Sequence, residues 1–106
     1  MKPAKRQLVY RSKWEDEYAQ VLKLKKAAGE IVSWSYESVR LRVAESNWYT
    51  PDFLVITEDE LQFHEVKGFQ REAGMLRLRT AAYQHRAFRF FLVTKKAGQW
   101  LVEEVK

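Results

Sequence analysis

The sequence predicts an α/β fold in which a mixed central sheet is flanked by helices, in the order α-β-β-β-β-α-β-β. Two segments carry apolar residues at helical spacing, and several short segments are rich in alternating β-branched and aromatic residues. The two kinds of segment interleave along the chain, the pattern of helices packed on a sheet. A length of 106 residues allows one compact domain and is too short for two separate cores, so residues 1–106 are read as a single domain. Hydrophobic residues make up 46% and aromatics 14% of the chain, enough for a packed core.

The elements follow in order. Residues 1–9 read as a loose basic arm. Ser12 offers an N-cap, Trp14, Tyr18, Val21 and Leu22 recur at helical spacing, and Gly29 is placed to stop the turn, giving a helix from about Lys13 to Ala28. Segments 31–37 and 39–43 read as two strands with a tight link. After the turn signal Glu45-Ser46-Asn47, residues 48–56 read as one strand with a proline near its start. Glu58-Asp59-Glu60 is the next turn, and Leu61 to Lys67 the next strand, so Asp52 to Lys67 form a hairpin. Gly68 ends it. From about Arg71 to His85, Met75, Leu78 and Ala82 mark a basic amphipathic helix. Segments 88–94 and 99–105 flank Lys95-Lys96-Ala97-Gly98 as a closing hairpin.

The composition also limits the chemistry. Without cysteine there is no disulfide, thiolate metal site or thiol nucleophile, and a metal would have to be held by carboxylate, carbonyl, imidazole or water. Cysteine-free composition favours a reducing cytoplasm. No apolar run approaches the roughly 20 residues that span a bilayer, so no membrane partner is expected. The formal charge of +5, from 19 Lys and Arg against 14 Asp and Glu, leaves a mild basic excess for a polyanion, and is equally ordinary for a soluble protein.

The most informative stretch is Tyr49-Thr50-Pro51-Asp52-Phe53 followed by Phe63-His64-Glu65-Val66-Lys67-Gly68. Strand side chains alternate faces, so Glu65 and Lys67 project to one side and hairpin pairing brings Asp52 beside them. Two carboxylates that close repel each other unless a hard divalent cation such as Mg²⁺ lies between them. A cation there would polarise a phosphodiester and lower the pKa of a water, while Lys67 supplies a cationic donor or a base. The simpler reading is a solvated Glu-x-Lys ion pair. His64 points to the other face and reads as a packing or surface residue rather than a ligand. His85, near a helix end, reads as a dipole partner. The four tryptophans read as core or edge residues.

Pro51-Asp52 and Glu65-Val66-Lys67 resemble the PD-(D/E)xK nuclease superfamily. Through Tyr10-Arg11-Ser12, Trp14-Glu15-Asp16, Tyr49-Thr50-Pro51-Asp52-Phe53 and Glu65-Val66-Lys67-Gly68 the chain is most similar to phage-type junction-resolving endonucleases and related small phage nucleases. The resemblance implies a restriction-endonuclease-like core and a Mg²⁺-dependent DNA endonuclease, with Mn²⁺ able to substitute, acting on branched or junction DNA. It implies Glu15, Asp52, Glu65 and Lys67 as catalytic residues, with Asp52, Glu65, Glu15 and the Val66 carbonyl on the metal. Glu15 has a second reading, because Ser12-x-x-Glu15 is also a capping box. Arg11, Lys13, Tyr49, Arg71, Arg77 and Arg79 are candidates for touching DNA, the arginines because a planar guanidinium donates two parallel bonds to phosphate. Cutting two strands further implies a homodimer. An exonuclease or single-strand nuclease of the same fold, a catalytically silent DNA-binding module and a metal-free structural domain are the alternatives.

Overall fold

The computed structural model describes residues 9–68 and 72–106. Helix α1 (Lys13–Ala27) is followed by strands β1 (Ser33–Tyr36), β2 (Leu41–Ala44), β3 (Asn47–Tyr49), β4 (Phe53–Ile56) and β5 (Leu61–Val66). Helix α2 (Glu72–Gln84) and strands β6 (Arg89–Lys96) and β7 (Gln99–Val105) complete the described chain. Among the described residues, five strands form one sheet in the order β1-β4-β5-β6-β7, and β2 pairs with β3 apart from it. The β5 and β6 strands are parallel and the other pairings antiparallel. The fold is therefore α/β with a mixed sheet, as the sequence predicts. No described helix is long and apolar enough to cross a membrane.

Local chemistry explains the boundaries. Ser12 is extended (φ −142°), and its Oγ accepts the Glu15 amide, which caps α1. At the other end Gly29 takes φ +76°, Gly29 N–H bonds to the Lys26 carbonyl, and Glu30 N–H bonds to that of Lys25. Such left-handed closure suits glycine. Thr57 holds the β4–β5 turn, its Oγ1 accepting from the amides of Asp59 and Glu60. Ala97 and Gly98 both have positive φ, the type I′ geometry of a two-residue hairpin. The turn is thus Ala97-Gly98, and Lys95 and Lys96 belong to β6.

Two sequence expectations are corrected. Residues 48–56 are not one strand: they divide into β3 and β4, which lie in different sheets. Buried Pro51 explains the break, since it has no N–H for a ladder and restricts the residue before it. The segments read as two tightly linked strands, β1 and β2, do not pair with each other; β1 joins β4, and β2 joins β3.

The sheet carries a core on each face. On one side Tyr18, Ala19 and Leu22 of α1 pack on Phe53, Val55, Val66 and Val93. On the other, Leu78, Ala81 and Ala82 of α2 and Leu41, Val43 and Tyr49 of the small sheet cover Phe63, Phe90 and Leu92. Alternation along β5 therefore sends His64 towards α1 and Glu65 towards α2. His64 is buried, with Tyr18 O–H 2.6 Å from its Nδ1 and its Nε2–H donating to Gln62 Oε1 at 2.9 Å. His85 Nε2–H donates to the Arg42 carbonyl and ties the end of α2 to β2.

Phe53 is fully buried and meets the rings of Tyr10, Tyr18, Trp34 and Tyr36, so it fastens α1 to the sheet. Phe53→Ala is expected to cost about 3–5 kcal/mol in denaturant unfolding. A cost below 1 kcal/mol, roughly an exposed-site effect, would contradict this packing role.

Candidate functional site

The hydrogen-bond register lines up three acids. Tyr36 pairs with Phe53 and Phe53 with His64; one step further, Glu37 faces Asp52 and Asp52 faces Glu65. Glu37 N–H donates to the Asp52 carbonyl at 2.8 Å, continuing the β1–β4 ladder by one rung. Neighbouring strands lie about 4.7–4.9 Å apart, so the three carboxylates stand in a row at the ends of β1, β4 and β5. Regular β4–β5 pairing starts at Phe53, which frees the Asp52 amide to donate to Glu65 Oε1 at 3.1 Å. In return Val66 N–H donates to Asp52 Oδ2 at 2.8 Å. A strand residue's N–H and C=O leave by the same edge, so the Val66 carbonyl also faces the Asp52 side.

Glu15 enters this row from α1. It is buried, receives the Ser12 hydroxyl on Oε2 at 2.8 Å and the Tyr36 hydroxyl on Oε1 at 2.8 Å. A capping box would give its carboxylate the Ser12 amide; here the carboxylate takes the Ser12 side chain instead, so capping and a place in the site coexist. Glu15, Glu37 and Asp52 each present a carboxylate oxygen, and these lie within 4.8 Å of one another. The grouping differs from the expected one: Glu37 belongs to it, while Glu65 stands on the far side of Asp52. Lys67 Nζ is 3.5 Å from Glu65 Oε2. Gly74 of α2 borders that ammonium, a Cβ on it lying at an ordinary contact distance of 3.9 Å.

Burial, and then the neighbouring charge of Glu65, pushes the Asp52 carboxyl well above the usual carboxylate range. Burial with the charges of Glu65 and Asp52 raises the Tyr49 phenol, so it remains a protonated donor. These residues fit a hard divalent cation: the donors are carboxylate oxygens, crowded and partly withdrawn from water, with no sulfur or free imidazole among them. His64 lies on the opposite face, its pKa lowered by burial to about 4.

A cavity of about 290 Å³ opens beside the row and is lined by Asp52, Glu65, Lys67, Tyr49, Arg11 and Arg77 among others. Arg11 is largely exposed and its Nε sits 2.8 Å from Glu37 Oε1. Of the residues predicted to touch DNA, Arg11, Tyr49 and Arg77 thus meet at this cavity, although Tyr49 is buried rather than presented to solvent. Arg79 does not: it lines a separate cavity with Glu103 and Glu104, because two steps along a helix turn a side chain by about 200°. Lys13 is exposed on the first turn of α1 and is not part of the cavity wall. Arg71 lies outside the described residues.

Sequence reasoning missed Glu37, Tyr36 and Trp48. Glu37 becomes visible only through the β1–β4 register, and its φ of +47° is a strained backbone for a non-glycine residue. Trp48 lines the cavity while half exposed, with the Arg40 guanidinium 5.0 Å from its ring centroid. Comparison with protein-family models, with curated proteins and with solved structures found no match to this chain.

The raised Asp52 pKa has a defined sign in stability. The folded state holds the proton more tightly than the unfolded one, whose reference value is 3.8; this favours folding at low pH and is lost as pH rises through the raised pKa. His64 works oppositely, its contribution falling as pH drops from 6.5 towards 4. Comparing Asp52→Asn with the wild type cancels the His64 part. Without added metal at pH 8, Asp52→Asn is expected to gain on the order of 1 kcal/mol, about 4–8 °C in Tm, with the two curves converging near pH 4. A variant that melts lower than wild type at pH 8 would refute the burial argument.

Proposed function

We propose that this chain is a divalent-cation-dependent nuclease that hydrolyses phosphodiester bonds in DNA, with branched or junction DNA as its substrate. The observation that carries this reading is the in-register acid row with Lys67 beside it, opening on a cavity that also holds Arg11 and Arg77. The acids alone would suit any cation site. Acids, a lysine and two arginines around one cavity suit a phosphodiester, which needs its charge neutralised and its attacking water activated.

Asp52, Glu15 and Glu37 would hold Mg²⁺ or Mn²⁺, with Glu65 and the Val66 carbonyl completing the oxygen donors from the β5 side. The cation supplies charge stabilisation to the phosphoryl group and lowers the pKa of water. Lys67 stands on the cavity side of Glu65, where its ammonium can donate to a phosphate oxygen or, deprotonated, accept a proton from the attacking water. Arg77, exposed on α2, grips a neighbouring phosphate. Arg11, paired here with Glu37, would be released to a phosphate if that carboxylate served the cation. Such contacts position the duplex without reading its bases, in keeping with selection by DNA shape. Symmetrical cutting of a junction calls for two copies of the chain.

Cleavage assays with fork, four-way junction, flap, single-strand and linear duplex substrates test the proposal. Wild type is expected to cut branched substrates internally only with Mg²⁺ or Mn²⁺. Lys67→Ala should slow cleavage by about 10²–10⁴-fold, and Asp52→Ala should abolish it. Products released one nucleotide at a time, or cutting confined to single strands, would replace the junction reading with an exonuclease or single-strand nuclease. DNA binding without cleavage under any divalent cation would leave only a binding module.

A further inference from the structure

The four tryptophans do not share one environment. Trp14, Trp34 and Trp100 pack against the core on the α1 face, whereas Trp48 keeps 45% of its surface exposed. A single exposed ring is ordinary on a protein surface. Trp48 differs in where it stands, on the wall of the cavity that also holds Asp52, Glu65, Lys67 and Arg77.

The small β2–β3 sheet fixes that position. Its inward side chains, Leu41, Val43 and Tyr49, are buried in the core on the α2 face. Alternation then turns Arg40, Arg42 and Trp48 outward, and Arg42 stands opposite Trp48 in the register. The Arg40 guanidinium lies 5.0 Å from the ring centroid, a cation–π contact that restrains the indole. Neither arginine is paired with a carboxylate among the described residues. The hairpin therefore presents a held aromatic ring and two cations beside the acid row.

A ring flanked by cations suits nucleic acid whose bases are unstacked, because the ring stacks on a base while the cations follow the backbone. A base inside a duplex has both faces covered by its neighbours and must leave the stack before a side chain can lie on it. The cavity, about 290 Å³, is at the bottom of the range for one bound small molecule, roughly 300–1,000 Å³, which suits a single nucleotide unit rather than a duplex.

We propose that Trp48 stacks on an unpaired base next to the phosphate held at the acid row, and so selects DNA in which base stacking is interrupted. This rests on the nuclease reading and narrows its substrate. The feature recognised is the unstacked base at a branch, not the crossing of two helices. Every base has a π-face, so such a contact selects structure without selecting sequence.

Anisotropy titrations of the full chain with two labelled probes test this: a fork carrying unpaired bases and a linear duplex, in Ca²⁺ to hold off turnover. Trp48→Ala should lower the fork-to-duplex affinity ratio by about 5–150-fold, the range of one aromatic–base stack, and Trp48→Phe should recover most of it. An abasic residue in place of the unpaired base at the branch should weaken wild-type binding by a similar factor and leave Trp48→Ala no weaker. An unchanged ratio, an equal loss on fork and duplex, or an abasic residue without effect on wild type overturns the inference. So does an abasic effect that survives in Trp48→Ala, or a fork that wild type does not bind. Wild type that binds the fork through Trp48 but cuts it with no divalent cation sinks the nuclease reading alone.

Discussion

Asp52 and Glu65 are two acids facing each other across an antiparallel pair, an arrangement that destabilises a sheet when both are charged and that here holds a proton on Asp52. They are held because each carboxylate accepts an amide from the other's strand: Asp52 N–H to Glu65 and Val66 N–H to Asp52. The two bonds substitute for ladder hydrogen bonds where regular pairing stops, and fix both side chains relative to the backbone rather than to each other's rotamers. The neighbouring residues of the acid row take their positions from this clamp. Glu37 is set by its own amide bond to the Asp52 carbonyl, and Lys67 by following Val66 along the same strand.

The clamp depends in turn on packing from the α1 face. Phe53, the residue after Asp52, sits among Tyr10, Tyr18, Trp34 and Tyr36, and Tyr36 uses its hydroxyl to hold Glu15. One side chain therefore belongs both to the hydrophobic core and to the acid row. Lys95 of β6 pairs with Glu17 at 2.9 Å and lies over the Trp100 ring, a second tie between α1 and the sheet. Stability and site geometry are coupled here, since loosening α1 also withdraws Glu15.

The local part of this design was legible in the sequence. Period-two alternation sufficed to put Glu65 and Lys67 on one face and His64 on the other, and the polar turn at 57–60 sufficed for the β4–β5 hairpin. Helical spacing located α1 and α2, and Gly29 marked the end of α1. Non-local pairing was not legible. The β1 strand reads naturally as the neighbour of the segment that follows it, so the register that brings Glu37 beside Asp52 stayed hidden. Pro51 reads as a tolerated strand proline, whereas it separates two sheets. The phase of α2 decided which arginine meets the cavity, and charge counting alone could not separate Arg77 from Arg79. The burial of Tyr49 depends on the small β2–β3 sheet folding over Phe63, a contact with no local signature.

The parallel pairing of β5 with β6 orders these events in time. Asp52 and Glu65 are close in sequence and can meet as soon as their hairpin closes, at little entropic cost. Lys67 is different, because its amide is tied to the Val93 carbonyl, and that bond forms only after the chain has crossed over through α2 and laid β6 alongside β5. Long-range parallel closure of this kind is slow. On a ribosome the acids would be assembled while the lysine's backbone was still unanchored, so a half-synthesised chain would carry the anionic half of the centre without its fixed cation. The last connection made is the one that fixes Lys67 beside the acids.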